Sequence, residues 1–424
     1  MISSCLAVQR WMTGTEVARV FAALAGTDGA EARFIGGCVR DALAGIRITD
    51  IDIATPLPPN EVTRRLKAAR IKVVPTGIAH GTVTAVAGRS TFEITTLRRD
   101  LACDGRHAVV EFTDDWQADA ARRDLTINAL SCRPDGTLFD PFDGAADLKA
   151  GKVRFISAAA ERIEEDVLRV LRFFRFHARF GRGQPDAEAL TACRVAAPRL
   201  ATLSGERVRA ELFKLLVLES CPAVWRRMVN DGILTPLLPA ATNTRCLKRL
   251  IAIERELDIP AAGRQPGRQV VRLAALLPTG QRDTALATAE RLRLSNAERN
   301  HLCALVNPPV QPRWDDAPAD CRRHLLRLAD SDLYLKLIYL NAAADRSALP
   351  LFDQWTAAHE AVSEWDCARF PLSGRELIKM GVPHGPEIGR LLTEIKEWWV
   401  EHAYQPDQGA CLRELNRRVA RAVE

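Results

Sequence analysis

The sequence has few aromatic residues, no long apolar segment and no regular spacing among its cysteines. Phe, Trp and Tyr make up 6% of the 424 residues, and with abundant Ala, Leu and Arg this favours helices over a β-sandwich. No run of about 18 apolar residues occurs, and residues 1–14 lack the pattern of a secretory signal, so we expect neither membrane insertion nor secretion. The eleven cysteines form no CxxC pair, which favours reduced thiols in a cytoplasmic protein over a zinc site.

The charge balance is close to even. Lys and Arg total 59 against 53 acidic residues, a formal net charge of +6. Such an excess suits a polyanionic partner only where the cations are gathered locally. The chain is 47% hydrophobic, enough to bury a large core, and its length predicts two to four packed units.

Short β-branched segments and helical periodicity divide the chain. The pattern predicts a helix at 15–25, strands at 33–37, 51–54, 72–74, 81–86 and 91–95, and further helices from 158 to about 200 and at 205–218. The predicted fold class is α+β, a small mixed sheet with helices followed by an all-helical remainder. We predict a head at 1–148, a helical neck at 149–220, a helical body at 221–365 and a helical tail at 366–424.

Two acidic residues lie in the segment DIDIAT at 50–55. Side chains alternate along a strand, so Asp50 and Asp52 project from the same face. Two carboxylates there can share a hard cation such as Mg²⁺, which favours oxygen ligands and substrate phosphates. The pair therefore suits two-metal phosphoryl transfer, in which one metal activates the attacking hydroxyl.

A pair of glycines precedes these aspartates in the segment GGCVRD at 36–41. Without Cβ atoms, Gly36 and Gly37 allow backbone N–H groups to approach a triphosphate at the start of a helix, with Arg40 one turn further on. Taken alone, paired glycines mark an ordinary turn and a DxD pattern an exposed strand edge. Together they resemble the nucleotidyltransferase head of DNA polymerase β-like enzymes.

Two further segments make the resemblance more specific, because they match motifs of one family of nucleotidyltransferases. RRDLTINAL at 122–130 and EDVLRVLR at 165–172 are similar, in order and spacing, to motifs of the class II CCA-adding enzymes and bacterial poly(A) polymerases. The likeness covers 33–215 and, less closely, 371–400.

The resemblance implies that the head is catalytic, that the neck recognises the base and that the tail binds RNA. It also implies a role for each matching position. It places Gly37 and Arg40 with the triphosphate, Asp50 and Asp52 with Mg²⁺, Arg123 and Asp124 with the nucleotide, and Asp166 and Arg169 with the base, extended by Arg172 and Arg175. It also implies a strand-end carboxylate and a flexible loop near the site, which makes Glu93 a candidate third catalytic carboxylate and 99–107 the loop. The alternative for Glu93 is that it is a solvated residue on an edge strand. His80 lies in a segment that resembles the family's segment before that strand, and the alternative for it is a structural role.

The residues alone support an arginine stripe, defined as Arg169, Arg172, Arg175 and Arg179. At about 100° per residue these four fall within one third of a helix circumference, and guanidinium groups suit phosphates and base edges. The alternative is a solvated face paired with Glu161, Glu164 and Glu165. Nearby, the turn at 140–148 is predicted to be a hinge, with Asp147 capping the segment that follows.

The implied activity is addition of the 3′-terminal CCA to tRNA from CTP and ATP. Alternatives within the family are a poly(A) polymerase or an enzyme that adds only A or only CC. The segments GREL at 374–377 and GVPHGPEIG at 381–389 resemble the tail of many CCA-adding enzymes and favour the first. A non-catalytic RNA-binding protein that retains the head as a scaffold is the alternative from another class.

Overall fold

The structure is a computed structural model that describes residues 5–78, 81–103, 108–257, 267–345, 356–380, 382 and 385–423. The chain forms two compact units, with the boundary between Leu237 and Leu238. The finer division into head, neck, body and tail stays a prediction. Among the described residues, no helix has both the length and the apolar content needed to cross a membrane.

The first unit contains a seven-stranded mixed sheet with the strand order β3-β4-β5-β2-β1-β8-β9 and a separate hairpin of β6 and β7. The strands are β1 Arg33–Ile35, β2 Ile51–Thr55, β3 Lys72–Gly77, β4 Thr82–Ala87, β5 Ser90–Thr96, β6 Arg98–Cys103, β7 Ala108–Phe112, β8 Ser131–Cys132 and β9 Leu138–Phe139. The pairing of β2 with β5 is parallel. All five predicted strand positions hold strands.

The first helices of this unit alternate with the strands, and the later ones follow the last strand in sequence. They are α1 Arg10–Thr13, α2 Thr15–Ala25, α3 Gly37–Leu43, α4 Pro59–Ala68, α5 Trp116–Ala121, α6 Gly144–Ala150, α7 Ala159–Glu165, α8 Arg169–Phe180, α9 Ala187–Ala196, α10 Gly205–Leu216 and α11 Cys221–Asn230. The predicted helix at 15–25 is confirmed as α2, whose Val17, Val20 and Leu24 are buried at helical spacing. These side chains share one core with Phe34 of β1 and Phe92 of β5.

Two local predictions need correction. Of the polar loop expected at 99–107, residues 99–103 lie in strand β6, which pairs with β7 and is joined to it by an Arg99–Glu111 ion pair at 2.7 Å, and residues 104–107 lie outside the described residues. Asp147 lies inside α6 and accepts hydrogen bonds from the Thr126 hydroxyl and from Arg154, each at 2.6 Å. It therefore caps no following segment.

In the second unit every element of secondary structure that the structure describes is a helix. These are α12 Thr244–Glu256, α13 Arg268–Leu276, α14 Arg282–Arg291, α15 Asn296–Val306, α16 Pro318–Leu328, α17 Ser331–Ala344, α18 Thr356–Cys367, α19 Gly374–Lys379, α20 Pro386–Glu401 and α21 Gln408–Val423. Ser373 and Glu376 form a capping box at α19, which explains the GREL segment locally. Of the following segment, Gly381, Pro383 and His384 lie outside the described residues.

Candidate active site

Neighbouring parallel strands bring acidic residues together. Asp52 of β2 lies opposite Glu93 of β5 in the strand register, and directly opposite residues share one face of a sheet. Asp50 immediately precedes β2, is exposed, and accepts a hydrogen bond from the Thr49 hydroxyl at 3.0 Å. The topology thus makes Glu93 the side-by-side partner of Asp52.

The pKa of Asp52 reports this crowding of negative charge. Burial, then repulsion from Glu93 and Asp50, raises its pKa to about 6, although Arg123 and Arg40 oppose the shift. A divalent cation among these carboxylates would remove the repulsion, so the residues fit a metal. No group of three or more acidic, His or Cys side chains within the described chain forms a complete metal site. Mg²⁺ is commonly bound by one or two carboxylates together with substrate phosphates and water.

The glycine pair opens α3 beside Arg123. Gly36 has a φ of +61°, and a Cβ there would lie 3.0 Å from a guanidinium nitrogen of Arg123. Any other residue would therefore be strained and would crowd that side chain. Arg40, one turn into α3, is buried: it donates to Asp41 at 2.8 Å and to the Asn128 side chain at 2.5 Å. Its guanidinium also lies over the Phe176 ring, 5.0 Å from the centroid.

The RRD segment is held by a hydrogen-bond network. Arg123 donates to Asp119 at 3.0 Å and to the Asn128 carbonyl at 3.3 Å. Buried Asp124 accepts from Asn128 at 2.9 Å and from Arg172 at 2.7 Å. Burial alone would raise the pKa of Asp124, but the Arg172 guanidinium and these hydrogen bonds outweigh it and lower the pKa. Asp124 is therefore ionised and fixes Arg172.

The EDVLRVLR segment is not a single helix. α7 ends at Glu165 and α8 begins at Arg169, with Asp166 in an extended conformation between them. One carboxylate oxygen of Asp166 accepts from the Leu168 N–H at 3.1 Å, and the other accepts from Arg207 of α10 at 2.7 Å. Arg169 instead donates to Glu165 at 2.5 Å.

The arginine stripe is not an open anion-binding surface. Each of its four guanidinium groups has a carboxylate partner: Arg169 with Glu165, Arg172 with Asp124, Arg175 with Glu211, and Arg179 with Asp41. Only the first pair matches the solvated-face alternative, because the other three carboxylates come from elements distant in sequence. Buried side chains cannot stay charged without such partners.

One cavity of about 480 Å³ joins the predicted residues. It is lined by Gly36, Gly37, Arg40, Asp52, Arg122, Arg123, Asp124, Asn128, Asp166, Leu168, Arg169, Arg172, Phe176 and Arg207. Asp50, Glu93 and Arg175 are not among its lining residues, and His80 lies outside the described residues.

Sequence reasoning did not assign Arg122, Asn128, Leu168, Phe176 or Arg207 to the site. Asn128 lies within the RRDLTINAL segment and could have been found through it. Arg207 lies 41 residues from Asp166. The sequence marks Arg207 just as a cation four residues before Glu211 on the helix predicted at 205–218, a pattern that does not indicate contact with Asp166.

Comparisons with known proteins show the family of this chain. The family described as "Poly A polymerase head domain" matches residues 32–154, and "Probable RNA and SrmB- binding site of polymerase A" matches 184–244. The mouse protein "CCA tRNA nucleotidyltransferase 1, mitochondrial" is 35% identical over 399 residues, which cover 91% of this chain and 87% of that protein. A CCA-adding enzyme of Streptococcus pneumoniae is 31% identical over 376 residues, covering 87% and 88%.

Solved structures share the fold. The Bacillus stearothermophilus CCA-adding enzyme in complex with CTP has a TM-score of 0.77 at 24% identity, covering 96% of this chain and 98% of that chain. The Thermotoga maritima CCA-adding enzyme complexed with tRNA_CCA has a TM-score of 0.63 at 21% identity, covering 95% and 94%. With relatives above 30% identical along most of their length, the chain belongs to the family of CCA-adding tRNA nucleotidyltransferases.

Proposed function

We propose that this chain adds the 3′-terminal CCA to tRNA, using CTP and ATP. The observation that carries the proposal is the single cavity in which Asp52 lies together with Asp166 and Arg169. A carboxylate suited to metal-assisted transfer and two groups suited to reading a base thus face the same space. Family membership supports the same reaction.

Asp50 and Asp52 are the residues that would hold Mg²⁺, with Glu93 beside Asp52 on the next strand. A bound Mg²⁺ ion would stabilise charge on the attacking and leaving oxygens. In the reaction, the terminal ribose hydroxyl of the RNA attacks the α-phosphate of the nucleotide, and pyrophosphate leaves. Gly36 and Gly37 leave room for the triphosphate against the start of α3.

The cationic side chains of the cavity divide into two groups. Arg40 and Arg123 lie beside the glycines and would neutralise phosphate charge. Burial, followed by the charges of Arg179 and Arg175, lowers the pKa of Arg40, and Asp41 opposes this shift. Arg172 is set by Asp124 and extends the nucleotide site. Arg175, outside the cavity and paired with buried Glu211, is assigned to the neck structure instead.

Base choice is assigned to Asp166 and Arg169. On their Watson–Crick edges, cytosine and adenine each present an amino donor beside a ring-nitrogen acceptor. A carboxylate accepts from the amino group and a guanidinium donates to the ring nitrogen, so one pair serves both bases. Uracil and guanine present the reverse order and would leave both protein groups unpaired, at a cost of about 1–3 kcal/mol each.

The two base-reading groups are held apart by different partners. Arg207 holds Asp166, and Glu165 holds Arg169. Because neither neutralises the other, each keeps hydrogen-bonding capacity for a base: a carboxylate oxygen has two lone pairs, and a guanidinium has five N–H donors. Arg207 is therefore a positioning residue for Asp166.

A poly(A) polymerase is the second candidate, because the family description that matches the head names that enzyme. The named relatives that match over most of their length favour CCA addition. We also expect a reducing, cytoplasmic setting, since the nine cysteines with a described environment are free thiols and eight of them are buried.

Sequencing of product ends separates these candidates. The protein is incubated with tRNA that lacks CCA, Mg²⁺, and CTP and ATP singly and together, with Asp52→Ala as the inactive control. CCA addition predicts C-C with CTP alone and C-C-A with both nucleotides. Homopolymeric A tails would establish the poly(A) polymerase, and no product from the unaltered protein would exclude both.

A further inference from the structure

A second cavity lies on another face of α8 from the candidate active site. Arg172 and Phe176 of this helix line the active-site cavity, whereas Phe174 and His177 line the second one. Residues of the loop after α8 and of α11 complete it, and its volume is about 280 Å³. The proposed reaction makes no use of this cavity.

His177 lines this cavity, and its imidazole ring has no hydrogen-bonding partner among the described residues. The residue is 9% exposed, and neither ring nitrogen forms a hydrogen bond with any residue that the structure describes. The ring stacks on Phe173 with centroids 6.3 Å apart. A Cβ at Gly181 would lie 2.3 Å from Nδ1, so glycine at that position leaves the ring its space. The ring nitrogens are not among the buried side-chain atoms that lack a partner, so they are open to the cavity, where a ligand can bond to them.

The rim of the cavity is positively charged. Arg227 donates to Asp231 at 2.6 Å and to Gln184 at 3.1 Å, and Arg194 shares the same aspartate at 2.7 Å. Arg226 is exposed and forms no ion pair with a described residue. Arg194 and Arg227 thus share one carboxylate, whereas Arg226, which also lines the cavity, has none among the described residues, and this leaves an excess of positive charge for an anion.

The walls suit a flat ring. Phe174, Pro185 and Val224 supply apolar surface, and His177 supplies a polar edge. A volume of about 280 Å³ is just below that of small-ligand cavities, which run from about 300 to 1,000 Å³. One base with its sugar and a single phosphate fits these features, whereas a triphosphate would need more positive charge than the rim offers.

We propose that this cavity binds one nucleotide, with the base on the apolar walls beside His177 and the phosphate at Arg226 and Arg227. The nucleotide is an unpaired one of the RNA substrate, because RNA carries a single phosphate per nucleotide and its unstacked bases are bound in this way. That the RNA is a tRNA rests on the proposed function. That the cavity binds a base, its sugar and one phosphate does not.

The test fills the cavity and reverses its charge in separate variants. Ala223→Phe adds a ring from the α11 wall, and Arg226→Glu changes an exposed side chain without breaking an ion pair. The matched control is Arg89→Glu, an exposed arginine on the β4–β5 turn away from the cavity lining. Fluorescence anisotropy measures the Kd for tRNA lacking CCA at fixed salt. We expect the Kd to rise about tenfold in both cavity variants, the scale of losing one stacked base with its phosphate, and less than about twofold in the control.

Equilibrium dialysis with AMP distinguishes the source of the nucleotide. Two AMP per wild-type chain and one per Ala223→Phe chain would support a site for free nucleotides. Unchanged RNA affinity in both variants, with equal AMP binding by wild type and Ala223→Phe, would overturn the proposal, as would an equal effect of Arg89→Glu. The expected Kd pattern in a protein that incorporates no nucleotide would refute the proposed function and leave the cavity assignment standing.

Discussion

Replacing Arg175 with Met removes one half of a buried ion pair. The Arg175 and Glu211 side chains are 10% and 6% exposed, and their charged groups lie 2.5 Å apart. The single variant leaves a carboxylate in the interior, and among the described residues the one cation that still pairs with it is Arg172, at 3.8 Å. Loss of one partner of a buried pair costs about 3–5 kcal/mol. We therefore expect the free energy of unfolding to fall by about that amount.

Two further variants make the reasoning specific. Arg175→Met with Glu211→Leu replaces the pair by apolar side chains and should recover most of the loss, because such replacements are often neutral. Arg179→Met, on the same helix, breaks a more exposed pair with Asp41 and should cost about 0–1 kcal/mol.

Urea unfolding followed by circular dichroism measures all three variants. Equal losses for Arg175→Met and Arg179→Met would refute the argument from burial. The double variant should also keep the choice of CTP and ATP, since Arg175 lies outside the cavity. A double variant that folds but accepts UTP or GTP would show that Arg175 reads the base.

Further predictions concern Asp52, Arg207 and the RNA partner. Because Asp52 has a pKa raised to about 6, protons compete with the metal, and the half-activating Mg²⁺ concentration should increase as the pH falls below about 6. In the metal-free protein the folded state holds this proton more tightly than the unfolded state, so the contribution of Asp52 to stability should be lost as the pH rises from about 4 through about 6. Arg207→Ala should relax base choice about tenfold in wild type but not in an Asp166→Ala background, because it acts through that carboxylate; additive effects would show a separate role. RNA affinity should fall steeply between about 50 and 200 mM salt through release of counterions, whereas a flat dependence would contradict a polyanionic partner.

Much of the head could be predicted from local sequence. Strands that alternate apolar and polar residues can be recognised from this periodicity. In β4, for example, Val83, Ala85 and Ala87 face the core. The β6–β7 hairpin cannot be recognised in this way, because its first strand begins Arg-Arg-Asp and is stabilised by its partner strand and by Thr113, whose N–H bonds to Leu97. Pairing between segments is a tertiary effect that local propensity does not report.

The site was predictable as a set of motifs but not as a network. Periodicity correctly places Arg169 and Arg172 on one helix, yet it continues across the break at Asp166, because the apolar spacing does not change there. Nor does the sequence indicate which guanidinium meets which carboxylate. Arg172 reaches Asp124 across 48 positions and Arg179 reaches Asp41 across 138, and these distant partners decide which arginines remain available to a nucleotide.

The most direct test of the account is single-turnover incorporation of each of the four nucleotides by three variants. Asp166→Ala and Arg169→Ala should accept UTP and GTP more readily while metal-dependent chemistry is largely retained. Asp52→Ala should lose chemistry with all four nucleotides. If both Asp166→Ala and Arg169→Ala keep the wild-type preference for CTP and ATP, the base is read elsewhere, and the assignment of one cavity to both chemistry and base choice is wrong.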